Sequence, residues 1–468
     1  MCKTGESEPG VFRRLFYAFV LCALCPVFFL ASCGEGDSSD TSPEPEPTAG
    51  PVRAGGDTSV YNRTSFAFEV PAANLSEESL IKHLNGDVTF GDIFVTPPAP
   101  RNPGLGPLFN NVSCESCHVK NGRGQPVFGN TGLRSHGLIR VSDPGGTPLV
   151  PGGNRPVEGL GEQIQDHATF GFTPEGEVFL DWEEVPGAYP DGTPYSLRRP
   201  IVEVILSNGE PLPDYIERSL RLPPPVIGLG LLEAVSEETI LERADPDDAD
   251  GDGISGRPNM VWDTVTSNFE LGRFGHKASS HSLREQAVKA YSEDMGVTNP
   301  DLPGEDPEPD IDEETVKLTT FYTQTLAVPL RLDTDDTDVP AGERIFNDIG
   351  CEQCHRSVLR TGQHELPELS DQLIQPFTDM LLHDMGEGLA DHRPDHEATG
   401  TEWRTAPLWA IGLTRTVSGV QNFLHDGRAR TLEEAILWHD GEARNAKERF
   451  MNLNKTEREK LIKFLNAL

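Results

Sequence analysis

A mainly α fold of two tandem domains is what this sequence predicts, on three observations. The five-residue pattern C-x-x-C-H occurs twice, as C-E-S-C-H at Cys114–His118 and as C-E-Q-C-H at Cys351–His355. The second copy follows P-A-G-E-R-I-F-N-D-I-G, which reads as an amphipathic helix, and the chain closes on Leu461, Ile462, Phe464, Leu465 and Leu468 at helical spacing. Between the copies, E-V-F-L-D-W-E-E-V and L-I-R-V-S, set among many Gly and Pro, predict short strands and loops.

C-x-x-C-H is the spacing at which two thiols add across the vinyl groups of a haem, with the His beneath the ring as an axial iron ligand. A disulfide or half a zinc site is the alternative, but no further Cys or His stands at finger-like spacing around either pair. The two turns therefore predict two covalent haem c groups, one on Cys114, Cys117 and His118 and one on Cys351, Cys354 and His355. The expected architecture is two c-type cytochrome domains in tandem, the N-terminal one enlarged by a partly β insertion. Their boundary is placed in the acidic stretch Asp333–Asp338, giving domains at 59–335 and 336–468. The C-terminal helix is expected to pack against the helix that precedes Cys351.

The remaining four cysteines, Cys2, Cys22, Cys25 and Cys33, fall in the first 33 residues. Arg13 and Arg14, an apolar run from Leu15 to Leu30, and Leu30-Ala31-Ser32-Cys33 read as an export signal over residues 1–32. A membrane helix is the alternative, but the run is short and holds Pro26. Leu-Ala-Ser-Cys resembles a bacterial lipoprotein cleavage box, which implies a lipid on Cys33 and a protein anchored at the periplasmic face or cell surface. Haem attachment outside the cytoplasm agrees with that compartment. Residues 33–58, rich in Gly, Ser, Pro and acid, read as a disordered tether.

Without residues 1–32 the chain carries 36 basic and 73 acidic residues, a net of −37. Such a surface excludes nucleic acid and anionic membrane as partners, beyond the lipid anchor, and favours a cationic one. In D-P-D-D-A-D-G-D-G-I-S-G, Asp248, Asp250 and Asp252 alternate as carboxylates do in a calcium loop, but Asn259 stands where an EF-hand has Glu. Calcium and a plain acidic turn both stay open there.

An internal repeat bears most on function. Phe274–Tyr291 parallels His425–His439: a basic turn, a Ser or Thr N-cap (Ser282, Thr431), then a helix with Glu at its third position (Glu285, Glu434). Where the second copy has His439, the first has Ala290.

F-L-H-D-G-R-A-R-T-L-E-E-A-I-L-W-H resembles the C-terminal half of bacterial dihaem cytochrome c peroxidases and of MauG. More closely, N-N-V-S-C-E-S-C-H-V-K-N-G-R-G, G-L-G-L-L-E-A-V, D-G-D-G-I-S-G-R-P-N, L-L-H-D-M-G-E-G-L-A-D and W-R-T-A-P-L-W-A-I-G-L resemble the dihaem oxidoreductase family of peroxidases and thiol oxidoreductases. The likeness covers nearly all of the chain after about residue 75. It implies that His439 is the second axial ligand of the C-terminal haem, with Met385 as its rival. It also implies that Gln286 and Asp294 line an open face of the N-terminal haem, where the peroxidases keep Gln and Glu. His136 or Met295 as a sixth ligand of that haem stays open. The Trp that carries electrons between haems in the peroxidases is replaced by Phe274, leaving Trp262, His276 or direct packing for that task. His276, His83, His167 and His364 are otherwise expected at the surface.

Splitting an O–O bond needs a vacant iron position, a group that moves a proton between the oxygens, and a hydrogen-bonding amide. Asp294, Gln286 and Ala290 supply those features. The expectation is an exported dihaem oxidoreductase, with the N-terminal haem reacting with peroxide or a small substrate and the C-terminal haem relaying electrons. Expected partners are a small electron-donor or acceptor protein and, by likeness to the peroxidases, a second copy of the chain. The competing readings are a purely electron-transferring cytochrome and a surface-anchored cytochrome that assists metal redox or uptake.

Overall fold

Short polar side chains open the principal helices and decide where they begin. In the computed structural model, which describes residues 52–128, 135–305 and 308–468, Ser76 caps α1 (Glu77–Gly91) by accepting from the Ser79 N–H. The haem-type turn α2 (Cys114–Cys117) is capped in the same way by Ser113. Two single turns, α3 (Leu229–Glu233) and α4 (Glu237–Leu241), precede α5 (Leu283–Met295), capped by Ser282, and α6 (Glu313–Gln324), capped by Asp312. Then come α7 (Asp338–Asp348), α8 (Thr414–Ser418), α9 (Leu432–Trp438) with its Thr431 cap, α10 (Arg444–Asn452) and α11 (Lys455–Ala467). Asn454 and Glu457 form a reciprocal capping box on α11. No helix among the described residues is long and apolar enough to cross a membrane.

Helices gather around each C-x-x-C-H turn. At the first, α1 lies on α6 so closely that a Cβ on Gly86 would meet the Leu318 carbonyl at 2.5 Å. Tyr291 of α5 joins them through its hydroxyl, 2.7 Å from Thr319 of α6. At the second, α7 packs on α11, where Gly342 approaches the Lys460 carbonyl and Phe346 meets Phe464 with ring centroids 5.4 Å apart.

Among the described residues, twelve strands form six antiparallel two-stranded ribbons. They are β1 (Leu108–Phe109), β2 (Leu138–Ser142), β3 (His167–Ala168), β4 (Gly176–Ala188), β5 (Pro194–Leu206) and β6 (Glu217–Arg221), then β7 (Met260–Asp263) and β8 (Asn268–Leu271). Four short ones follow: β9 (Leu359–Arg360), β10 (Leu373–Ile374), β11 (Leu382–Asp384) and β12 (Glu402–Arg404). The pairs are β1 with β3, β2 with β6, β4 with β5, β7 with β8, β9 with β10 and β11 with β12. Ile139, Val141, Ile164, Val178, Val204 and Leu220 give the first strands their own apolar core. The far end of the long β4–β5 hairpin reaches the second helix group. There Tyr189 lies under Arg458, 4.0 Å from ring centre to guanidinium, and its hydroxyl donates to Glu433 of α9 at 2.5 Å.

The expected mainly α fold is overturned. Helix accounts for 29% of the described residues and strand, isolated bridges included, for 19%, and no separate cytochrome architecture stands out. The physical reason is composition: 46 Gly and 39 Pro break helices and supply turns across the long connections, so helix is confined to the surroundings of the two turns. Ala49–Leu468 forms one compact unit. The expected export signal, Cys33 and the tether up to residue 51 lie outside the described residues. Residues 52–58, assigned to the tether on composition, are instead packed: Val52 bridges to Arg331, and Ala54 and Thr58 are buried.

Candidate functional site

Each C-x-x-C-H segment folds as one tight turn that brings its His back over its Cys pair. The His118 N–H donates to the Cys114 carbonyl at 2.9 Å, and that of His355 to the Cys351 carbonyl at 3.0 Å. Ser113 caps the first turn, while Gly350, at φ 92°, lets the chain enter the second. All four thiols are free. Burial pushes those of Cys114 and Cys351 up to about 12, so they stay protonated.

The imidazoles are prepared to bind metal. Nδ1 of His118 lies 2.8 Å from the Pro224 carbonyl, and Nδ1 of His355 lies 2.9 Å from the Phe377 carbonyl. A carbonyl only accepts, so Nδ1 carries the proton and Nε2 keeps its lone pair. Burial lowers both rings to about 4 and keeps them neutral. Nδ1 of His439 is held in the same way, 2.7 Å from the Ala435 carbonyl.

One cavity of about 1280 Å³ receives both turns and His439. Within it His355 and His439 face one another with ring centroids 6.5 Å apart. A metal–imidazole bond of ~2 Å on each side asks for about 6 Å between centroids. The two cysteine pairs, the tautomers and this separation fit a haem at each turn. Met385 also lines the cavity, but the ring that faces His355 is that of His439.

The two repeat copies adopt one local structure. An antiparallel bridge closes each basic turn, Phe274 to Ser280 and Phe423 to Ala429. Ser282 and Thr431 cap their helices, and Glu285 and Glu434 accept from the N–H groups of His281 and Arg430. The copies then diverge. α9 stops at Trp438 and turns at His439, helped by Gly441, where a Cβ would meet the Asp384 carbonyl at 2.2 Å. α5 instead runs on through Ala290 to Met295. The ring packed beside His118 is that of Phe90, with centroids 6.3 Å apart. Gln286, Ala290 and Asp294 of α5 line that side with Cys114, Cys117 and His118.

Asp294 is the acid of this side whose carboxyl is raised. Burial raises its carboxyl to about 6, although Gln163 donates to Oδ1 at 2.9 Å. Gln163 also donates to Asn110 at 2.8 Å, which fixes the amide against the segment that leads into the first C-x-x-C-H turn. The neighbouring Glu293 behaves oppositely: burial would raise it, but an ion pair with Arg140 holds it below the ordinary range. Met295 is a buried core residue beside Phe109 and Tyr291. His136 is half-buried and does not line the cavity.

Several histidines sit differently from their expected surface places. His276 lines the cavity with Nε2 2.7 Å from the Leu222 carbonyl, and His83 is buried with Nδ1 2.7 Å from Thr325. Phe274 is buried in the core and Trp262 meets Phe269 edge-on, with ring centroids 5.2 Å apart. The tryptophan packed beside His276 is Trp403, which lies flat on His425 with centroids 3.7 Å apart and carries Lys277 4.4 Å above its ring. Arg140 and Gln163 carry no local sequence signal, and Trp403 carries only the block W-R-T-A-P.

In the acidic turn, oxygens of Asp245, Asp248 and Asp250 lie within 4.8 Å of one another. The expected third acid, Asp252, turns away and accepts from Gln353 of the second haem-type turn at 3.1 Å.

A family model described as "Di-haem oxidoreductase, putative peroxidase" matches residues 50–134, 157–308 and 304–468. No curated protein matches. Among solved structures, Kuenenia stuttgartiensis hydrazine synthase, pressurized with 20 bar xenon, overlaps 42% of this chain and 68% of that one, at 19% identity and a TM-score of 0.29.

Proposed function

The chain belongs to the di-haem oxidoreductase family, and on that footing we propose an exported c-type enzyme whose two haem sites divide the work. Peroxide, or another small substrate, reacts in the chamber bounded by His118, Asp294 and Ala290. The site between His355 and His439 relays electrons to it. Haem iron, when bound, supplies a one-electron redox centre at each turn. Cys114, Cys117, Cys351 and Cys354 hold the two groups as thioethers.

The carrying observation is the asymmetry between the sites. His355 has an imidazole opposite it, whereas the corresponding place in the first copy is the methyl group of Ala290. A side chain that short leaves room for substrate. With its carboxyl near 6, Asp294 is ionised at neutral pH and positioned to take a proton from one peroxide oxygen and return it to the other. Gln163 orients that carboxylate, and Gln286 offers a second amide to the chamber. Glu293, locked to Arg140, stays charged and does not compete for the proton. Reducing one peroxide to two waters takes two protons and two electrons, the latter from a small donor protein. The net charge of −36 supports a cationic donor. Export and a lipid on Cys33 belong to the same proposal, supported by the apolar run ending in Leu30-Ala31-Ser32-Cys33.

Stopped-flow mixing of fully reduced holoprotein, whose two ferrous haems hold the two electrons, with one equivalent of hydrogen peroxide tests the reading. Consumption of peroxide with oxidation of both haems is expected. Inertness toward peroxide would replace the enzyme with an electron-transfer cytochrome.

A further inference from the structure

Among the described residues, six arginines line the haem cavity, and their charges are balanced unequally. Arg140 pairs with Glu162 and Glu293, Arg221 with Asp391 and Asp395, and Arg284 with Asp301 and Glu313. Arg449 is exposed to water. Arg123 and Arg404 are half-buried and have no carboxylate partner among the described residues.

Backbone carbonyls alone hold these two in place. Arg123 donates from Nε to the Asn422 carbonyl at 2.6 Å and from Nη2 to that of Leu424. Arg404 donates from Nε to the Gly275 carbonyl and from Nη1 to its neighbour Thr405, both at 3.1 Å. Nη1 of Arg123 and Nη2 of Arg404 have no acceptor among the described residues. Carbonyls orient a guanidinium but do not cancel its charge, and a desolvated cation without a counter-charge is costly. The nearest acids are already committed, Asp426 to Arg428 and Asp379 to His383. Burial accordingly lowers both arginines to about 10.

Position assigns each arginine to one haem site. Arg123 lies five residues beyond His118. The acid that the Arg404 guanidinium faces, Asp379, holds His383, which lies against Cys354 at 3.6 Å. The two meet at His276, which burial, with the guanidiniums of Arg123, Arg221 and Arg404 adding to it, pushes down to about 3. A haem whose vinyl groups are used for attachment still carries two propionate carboxylates, and a guanidinium fork is the protein group best matched to them.

We propose that Arg123 binds a propionate of the haem at Cys114–His118 and Arg404 a propionate of the haem at Cys351–His355, turning a carboxylate edge of each haem toward the wall around His276. The assignment rests on the two-haem reading above and adds the orientation of the haems to it. Each arginine neutralises a negative charge near iron and so stabilises the ferrous state, raising that haem's potential.

The test is spectroelectrochemical titration of the holoprotein between pH 5 and 9, with haem counted per chain, for wild type, Arg123→Gln, Arg404→Gln and the control Arg199→Gln, an exposed residue outside the cavity. Two haems per chain are expected throughout. Arg123→Gln should lower only the first potential and Arg404→Gln only the second, each gaining a pH dependence as the freed propionate becomes titratable. Unchanged potentials with two haems present, or equal shifts in all three variants, overturn the assignment. Fewer than two haems in wild type overturns the underlying reading and the assignment with it. If the Gln variants fail to fold, Arg123→Lys and Arg404→Lys keep the charge and lose the fork. Their propionate-bending bands in resonance Raman spectra should then shift, and unshifted bands overturn the proposal.

Discussion

His355 and His439 stand face to face, ring centroids 6.5 Å apart and planes inclined at 46°, although 84 positions separate them in the chain. The relation depends on α9 ending where it does, so that His439 leaves the helix and turns into the cavity. Removing the ring should open the iron at that turn. In His439→Ala, one haem equivalent should change from low spin to a form that binds cyanide, while the haem on His118 keeps its spectrum. Optical titration with cyanide measures it.

Asp294 gives the chemistry a pH signature. Burial raises its carboxyl to about 6, so the proton-accepting form grows as pH rises through that value. The second-order rate with peroxide should therefore climb between pH 5 and 7 and then level. Asp294→Asn should lose the inflection and fall by roughly 10²–10⁴-fold. Because the shift is upward, the stability tied to this group is fully present below the ordinary 3.8 and is lost as pH rises through about 6. Stopped-flow profiles of both proteins check the rate.

Much of the site was legible because its signals are local. The C-x-x-C-H spacing marks both tight turns that line the cavity, and the cap-plus-Glu pattern places Ser282 and Thr431 at the starts of their helices. Aligning those two starts is what singles out His439 against Ala290. Long-range pairing was not legible. Gln163 reaches Asp294 from 131 positions away, and Arg140 reaches Glu293 from 153. His83 and His276 look like surface residues because their partners, Thr325 and the Leu222 carbonyl, are distant in sequence. The mainly α expectation failed for a similar reason: two helix-flanked turns say little about the Gly- and Pro-rich connections between them.

The ionic cluster beneath Trp403 should carry measurable stability. Lys277 is fully buried and gives its ammonium to Asp391, to the Arg393 carbonyl and to the Thr399 carbonyl at 2.7–2.8 Å. Asp391→Asn would leave Lys277 short of its counter-charge and weaken Arg221 as well. A loss of about 3–5 kcal/mol is expected. Thermal unfolding of the holoprotein reads it.

The far end of the β4–β5 hairpin should matter to the second haem site. Tyr189→Phe removes the hydrogen bond to Glu433 and should cost about 1–2 kcal/mol. Tyr189→Ala also removes packing on Phe450 and Arg458 and should cost about 3–5 kcal/mol. On heating, the low-spin spectrum of the second haem should be lost earlier in both variants, with peroxide reactivity at the first haem unchanged at 25 °C.

Low-temperature EPR of the fully oxidised holoprotein, before and after saturating cyanide, tests the central claim of two unlike haem sites. The account predicts one low-spin haem that ignores cyanide, from His355 and His439, and one haem equivalent whose signal cyanide converts. Two low-spin haems that both ignore cyanide would contradict it and leave electron transfer as the function.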